Sequence, residues 1–269
     1  MTHQSRTTIL ALLERHGLLP RKAYGQHFLA DPNLIDKIVA VAGVGPDDSV
    51  LEVGAGTGVL TAALASTGAS VVAYEIDRRF QPVLGETLAS LDVDVRFGDI
   101  MDADLDSDLD GEPWKLVANL PYNVGTPLVM DVLLEVHKIR SATVMVQKEV
   151  ADRLVAEPGT EDYGVPSVVV ALTAQVVERF SVPPQVFVPA PQVSSSVVRL
   201  DRVEPPAMID EAIELARAAF GQRRKMLRRS LAERVPEPVF EEAGIESTGR
   251  PEDLPPAAFV RLAEVMSHA

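Results

Sequence analysis

Three groups of residues in this chain have types and spacings that could do chemistry. In LEVGAGTGVL, Gly54, Gly56 and Gly58 follow a β-branched run, a pattern that turns the backbone tightly and lets it approach a ligand at the start of the next helix. A dinucleotide fingerprint places its third glycine three residues beyond the second, whereas Gly58 follows Gly56 by two. The departure favours a nucleoside ligand without a pyrophosphate, such as S-adenosylmethionine (SAM). Glu75 in VVAYEIDRR is placed to accept hydrogen bonds from both ribose hydroxyls, Ile76 to pack on the adenine, and Asp99 of GDI to accept from the adenine amino group. Each piece alone is common in loops and strand ends. In this order, at successive strand ends, they point to a SAM site.

The second group is the tetrapeptide NLPY, Asn119–Tyr122. An exocyclic adenine amine is a poor nucleophile because its lone pair is delocalised into the ring. Acceptors from the Asn119 side chain and the Leu120 carbonyl would hold its hydrogens out of the ring plane and localise that pair, while Pro121 stiffens the turn and Tyr122 offers a face for stacking. Methyl transfer from a sulfonium is then an in-line displacement dominated by positioning, with no metal or covalent nucleophile required. In isolation NLPY also reads as a strand-exit turn. Phe187, in the Pro-rich stretch 181–193, is a candidate second aromatic for the base or the rim, with simple packing under a loop as the alternative. An adenine target must leave its stack to reach such a pocket, which implies flipped or single-stranded nucleic acid.

The third group is QRRKMLRR, residues 222–229, with Arg223, Arg224, Lys225, Arg228 and Arg229. Read as a helix, it puts Arg224 with Arg228 and Lys225 with Arg229 on a shared face, with Phe220, Leu227 and Leu231 turned inward. Such a face can bind phosphate, although a charge run is as readily a solvated surface.

The elements that must position these groups follow from periodicity. β-Branched runs at 49–53, 70–74, 93–97, 115–119 and 143–147 alternate with helix-like stretches at 60–66, 79–91, 127–136 and 148–156. That rhythm predicts βαβ units in a mainly parallel, doubly wound sheet, an α/β Rossmann-like domain of the class I SAM-dependent methyltransferase kind. Two later runs, 175–180 and 195–200, predict an antiparallel edge. Beyond Pro206 the pattern is helical, at 209–220, 225–232, 239–243 and 256–266. A catalytic domain over residues 1–203, with an N-terminal extension 1–30, and a small all-helical domain over 204–269 are therefore expected.

Composition excludes several classes. With no cysteine among 269 residues, disulfide frameworks, thiolate metal sites and cysteine nucleophiles are ruled out. No apolar run reaches the length of a membrane span, and 9–17 is broken by Glu14 and Arg15, so a cytoplasmic chain is expected. The net charge of −14 is unevenly spread. Residues 86–112 carry a local −9, leaving −5 for the remainder, so a basic face can bind nucleic acid while the acid lies elsewhere.

The chain resembles the ribosomal RNA adenine N6,N6-dimethyltransferases, specifically their small-subunit type. The likeness runs through YGQHFL (24–29), LEVGAGTGVLT, YEID (74–77), GDI, NLPYN, QKEVADRLVAEPGTEDYG (147–164), FVPAPQVSSSVV (187–198) and AFGQRRKMLRRSL (219–231). It implies SAM contacts from His27, Leu29, Gly54, Glu75, Asp99 and Asn119, with Tyr122 and Phe187 around the target base. His27 stands where many relatives carry Asn, so its contact is expected through backbone. It also implies dimethylation of two adjacent adenines in a hairpin near the 3′ end of 16S rRNA, late in small-subunit assembly, with S-adenosylhomocysteine as product and RNA contacts from Arg21, Lys22 and the basic run. A monomer is expected. The rivals are the large-subunit rRNA dimethyltransferase of macrolide resistance, a non-catalytic assembly or transcription factor on the same fold, and a small-molecule methyltransferase.

Overall fold

The β-branched runs pair into a seven-stranded sheet in the computed structural model, which describes residues 4–21, 24–111, 113–121 and 124–268. Lys22 and Tyr122 lie outside the described residues. A two-residue strand β1 (Phe28–Leu29) precedes β2 (Ser49–Val53), β3 (Ser70–Glu75), β4 (Val93–Phe97), β5 (Trp114–Asn119), β6 (Ile139–Gln147), β7 (Ala174–Val182), β8 (Phe187–Val188) and β9 (Ser195–Arg202). The large sheet runs β4-β3-β2-β5-β6-β9-β7. Its pairs from β4 across to β6 are parallel, and β9 joins β6 antiparallel, so the expected late antiparallel addition is present. β1 and β8 form a separate antiparallel ribbon.

The helices are α1 (Arg6–Arg15), α2 (Pro32–Ala42), α3 (Val59–Ala65), α4 (Gln81–Thr87), α5 (Leu105–Asp108), α6 (Gly125–Leu134), α7 (Lys148–Leu154), α8 (Val165–Thr173), α9 (Ile209–Phe220), α10 (Leu227–Ser230), α11 (Glu237–Glu242) and α12 (Pro256–His268). α2 starts where the Asp31 carboxylate accepts from Leu34 N at 3.0 Å and Pro32 occupies the first turn, and it stops at Gly43 in a left-handed conformation. Ile35, Ile38 and Ala42 of α2 then pack with Val50, Val71, Val117 and Met145 of the sheet. α1 docks through Ile9, Leu12 and Leu13 against Phe28, Phe80, Val83 and Leu84. Each such buried side chain contributes about 1.5–3 kcal/mol, enough to hold a weakly amphipathic helix in place.

The chain divides into two compact units: residues 1–151 with 176–201, and residues 152–175 with 202–269. A single cut at 203/204 therefore does not describe it, because 152–175 belongs with the C-terminal helices. The reason is α8. Its run VPSVVVALT has strand-like composition, but Pro166 sits in the first turn and the Ser167 hydroxyl both accepts from Gly164 N and donates to Arg153 O, fixing a helix start. Its Val168, Val169 and Val170 are buried. No helix among the described residues is long and apolar enough to cross a membrane.

In the second unit Tyr163 is 1% exposed, donates to Leu254 O at 2.8 Å and meets Phe220 edge-on at 5.7 Å between ring centres. Tyr163→Phe keeps the ring and leaves a buried carbonyl unpaired, so it should lower stability by about 1–2 kcal/mol without disturbing cofactor binding. Denaturant midpoints of the two proteins, with SAM titrations alongside, measure both effects.

Candidate active site

The order β4-β3-β2 reverses to β5-β6 between β2 and β5, and in open parallel sheets ligands bind beyond the strand ends at that crevice. Gly54 and Asn119 stand on its two sides. Gly54 has φ 85°, and a Cβ built there would meet Asn119 O and Pro121 Cδ at 3.6 Å, so the loops leaving β2 and β5 run close together. Gly56, at φ 55°, leaves room for the Phe28 ring, which a Cβ would meet at 3.1 Å. Through Phe28 the 24–29 segment lies against the glycine loop.

Two adjoining hollows open here. Tyr24, His27, Glu52, Gly56, Glu75 and Asn119 help line the first, while Tyr74, Ile76, Asp99, Ile100 and Val124 help line the second. Tyr24, Gly54, Ile76 and Pro121 border both. A groove of about 350 Å³ between α2 and α3 is more open to ligands by size, but Asp36 is its sole ionisable lining residue. Convergent polar groups mark the strand-end hollows instead.

Glu75 is held from both sides: Oε2 accepts from Gly56 N at 2.7 Å and Oε1 from Asp77 N at 2.9 Å. Burial raises its carboxyl above the ordinary value, with these two amides opposing the rise. Each oxygen keeps a second lone pair for a hydroxyl donor, and the carboxylate plane is already set. Ile76 is 42% exposed and borders both hollows, placed to cover a flat ring. Asp99 is exposed at the rim of the more apolar hollow, with Oδ1 accepting from Met101 N at 3.0 Å.

At the end of β5, Asn119 Nδ2 donates to His27 O at 3.1 Å, which leaves its Oδ1 to accept from a ligand. Leu120 N donates to Met145 O, so the turn hangs from β6. The His27 ring is engaged with Pro189 O at 2.7 Å, in keeping with a backbone role for this residue in the pocket. Leu29 is buried and lines the first hollow.

Phe187 departs from expectation. Its ring has 0% exposure, packs in the same apolar cluster as Leu29, Ile35 and Val197, and borders neither hollow. The cause is β8: pairing Phe187 with Leu29 across the β1 ribbon turns the ring into the core. The described aromatic that reaches both hollows is Tyr24, over which Arg21 stands with its guanidinium carbon 5.9 Å from the ring centre.

The basic run also differs from the expected helix. α9 ends at Phe220, residues 221–226 turn, and α10 has four residues. Leu227 N and Arg228 N donate to Gly249 O and Ser247 O, which pulls the segment away from a continued helix. The i, i+4 face of Arg224 with Arg228 and of Lys225 with Arg229 is therefore absent. Leu227 and Leu231 do point inward, and the four cations Arg224, Lys225, Arg228 and Arg229 are exposed. Arg223 instead pairs with Glu252 at 2.9 Å and donates to Thr160 O.

Sequence reading passed over Glu52. It is 1% exposed, its Oε2 has no hydrogen-bond partner among the described residues, and it lines the first hollow. Burial, with the Glu75 charge adding, pushes its carboxyl up to about 8. The signal was present: a lone acid inside the apolar run SVLEV of a buried parallel strand. A buried carboxyl with an unpartnered oxygen, beside a second acid, suits a cationic ligand, and SAM carries a sulfonium and an ammonium.

Residues 18–268 match the family model described as ribosomal RNA adenine dimethylase. The ribosomal RNA small subunit methyltransferase A of Phenylobacterium zucineum is 45% identical over 268 residues, 98% of this chain and 94% of that protein. The protein of the same name from Nocardia farcinica is 46% identical over 95% of this chain and 92% of its own length. Among solved structures, a dimethyladenosine transferase from Plasmodium falciparum superimposes with TM-score 0.75 at 26% identity, covering 88% of this chain and 96% of that one. The 23S rRNA methyltransferase ErmE does so with TM-score 0.67 at 30% identity, covering 89% and 99%.

Glu52 generates a pH prediction. A proton held up to about pH 8 in the folded apo-protein is lost near 4.5 in the unfolded chain, so stability from this group is full below 4.5 and declines as pH rises towards 8. A bound cation favours the ionised form, so SAM affinity should rise between pH 6 and 8 and then level. Glu52→Gln should flatten both profiles, read by thermal melts and calorimetric titrations across that range.

Proposed function

The chain belongs to the ribosomal RNA adenine dimethylase family, and from that premise we propose that it transfers two methyl groups to N6 of each of two adjacent adenines in a hairpin near the 3′ end of 16S rRNA, on the small subunit or its late assembly intermediate. It works as a monomer in the cytoplasm. When bound, SAM supplies a methyl group activated by the sulfonium. The chain's own residues do the rest. Glu75, held by Gly56 N and Asp77 N, receives the ribose hydroxyls; Ile76 covers the adenine and Asp99 accepts from its amino group; Glu52 faces the positive charge; the 27–29 and 54–56 backbones shape the walls.

The observation that carries this reading is the Asn119 amide, whose nitrogen is committed to His27 O and whose oxygen remains an acceptor in the hollow shared with Glu52 and Glu75. Asn119 Oδ1 and the Leu120 carbonyl hold the hydrogens of the target amine, so that its nitrogen lone pair can attack the methyl carbon in line with the departing sulfur. One amine proton passes to solvent in each transfer. Pro121 fixes the turn, and Tyr122 follows it as the stacking residue. The exposed cations Arg224, Lys225, Arg228 and Arg229, with Arg21 and Lys22, bind backbone phosphate.

The deciding test is to incubate the protein with SAM and undermethylated 30S subunits, with 50S subunits in parallel, and to quantify methylated adenosines by mass after digestion. Dimethyladenosine confined to the 30S sample is expected. Its appearance only in 50S would make this a large-subunit enzyme, and its absence from both, with SAM still bound, would favour an assembly factor. Asn119→Ala should lower kcat by about 10²–10³, the usual cost of losing one group aimed at a developing charge. Reversing charge at Arg224 and Arg228 should weaken subunit binding and shrink its salt dependence by roughly one unit of log–log slope per lost phosphate contact, with SAM affinity unchanged. Filter binding across a salt series checks it.

A further inference from the structure

α1 precedes the part of the chain that matches the family model, which begins at residue 18. Its start nevertheless touches both walls of the cofactor hollow. Just ahead of the helix, Gln4 is 4% exposed, and its Nε2 donates to Thr57 O at 3.1 Å and lies 3.4 Å from Thr87 Oγ1. Thr57 belongs to the glycine loop and lines the first hollow. Two residues further on, Arg6 Nη2 donates to Gln185 O at 3.0 Å and Phe187 O at 2.9 Å. Phe187 and Val188 pair with β1, so this second tie reaches the 24–29 wall that carries His27 and Leu29.

A buried amide donor on a loop carbonyl fixes the loop in a way that packing alone does not, because hydrogen bonding is directional. The left-handed glycines give that loop a path few other residues adopt, and the bonds along it decide where it runs. We propose that Gln4 and Arg6 are positioning residues for the cofactor: together they clamp the glycine loop to the β1–β8 ribbon and hold the first hollow at the width the nucleoside needs. This rests on the SAM reading above. The helix therefore acts on cofactor affinity, through Thr57 and β8, without touching the ligand.

The test compares the full chain with Gln4→Met, which keeps the side-chain volume and removes the donor, and with Arg6→Ala, a surface change that removes the other tie. SAM binding by calorimetry should weaken about fivefold in Gln4→Met, the usual effect of one neutral hydrogen bond, and at least as much in Arg6→Ala, which removes two bonds from a charged donor. kcat at saturating SAM should stay at the wild-type value while KM for SAM rises. Amide exchange at Gly56 and Gly58 should quicken in both apo variants. Unchanged SAM affinity in both variants, with or without a lowered melting temperature, would reduce α1 to a brace for the fold and overturn the proposal. Failure of the wild-type protein to bind SAM at all would instead remove the cofactor reading and this clamp with it.

Discussion

A carboxylate at the end of a parallel strand, each oxygen held by a backbone amide, is the constraint around which the cleft is arranged. Glu75 takes the Gly56 amide with one oxygen and the Asp77 amide with the other. The first bond sets the path of the glycine loop, and the second sets the turn leaving β3. Because Gly56 sits against Phe28, the same bond reaches the 24–29 segment, whose His27 carbonyl in turn orients Asn119. One acid thus links the ends of β2, β3 and β5 through the Gly56 amide, the Phe28 ring and the His27 carbonyl. Burial disfavours its charge, and the amides offset that.

The site also gathers two acids where no described cation is hydrogen-bonded to either. Glu52 and Glu75 share the hollow, and burial raises both. Two carboxylates in one low-dielectric space make a poor home for a neutral or anionic ligand and a good one for a sulfonium. The nucleic-acid partner calls for the opposite polarity. The exposed cations Arg224, Lys225, Arg228 and Arg229, proposed above as its phosphate contacts, are on a turn and a four-residue helix, while Asp104 bonds Ser107 and Arg96 bonds Asp94 and the Asp108 carbonyl.

How far the sequence foretold this depends on what kind of force set each element. Central parallel strands bury both faces, so a run such as that of β2 was unmistakable, and the edge strand β4, although only half-buried, also begins and ends where its run does. Glycine spacing and the acids at strand ends were equally readable, because those residues are there for backbone geometry that few other side chains permit. The misreadings came where long-range contact overrode local pattern. The basic run turns because its amides find carbonyls some 20 residues away at 247–249. Phe187 lies in a Pro-rich loop by sequence but pairs across to residue 29. Glu52 was hidden by its company, an ionisable residue in a run otherwise legible as core.

The interleaving of the two units carries a consequence for the order in which the molecule can be made. α8, with its buried valines, is synthesised 35 residues before α9 and far ahead of α12, the helices of its own unit that cover it. β7 likewise precedes its sheet neighbour β9, and β9 alone stands between it and β6. During translation the parallel core from β2 to β6 can close on its own contacts, whereas the buried valines of α8 and the strand β7 must wait for chain not yet made. The vulnerable interval in the birth of this protein is therefore not its beginning or its end but the span between β6 and β9, and the arrival of β9 is the event that ends it for the sheet.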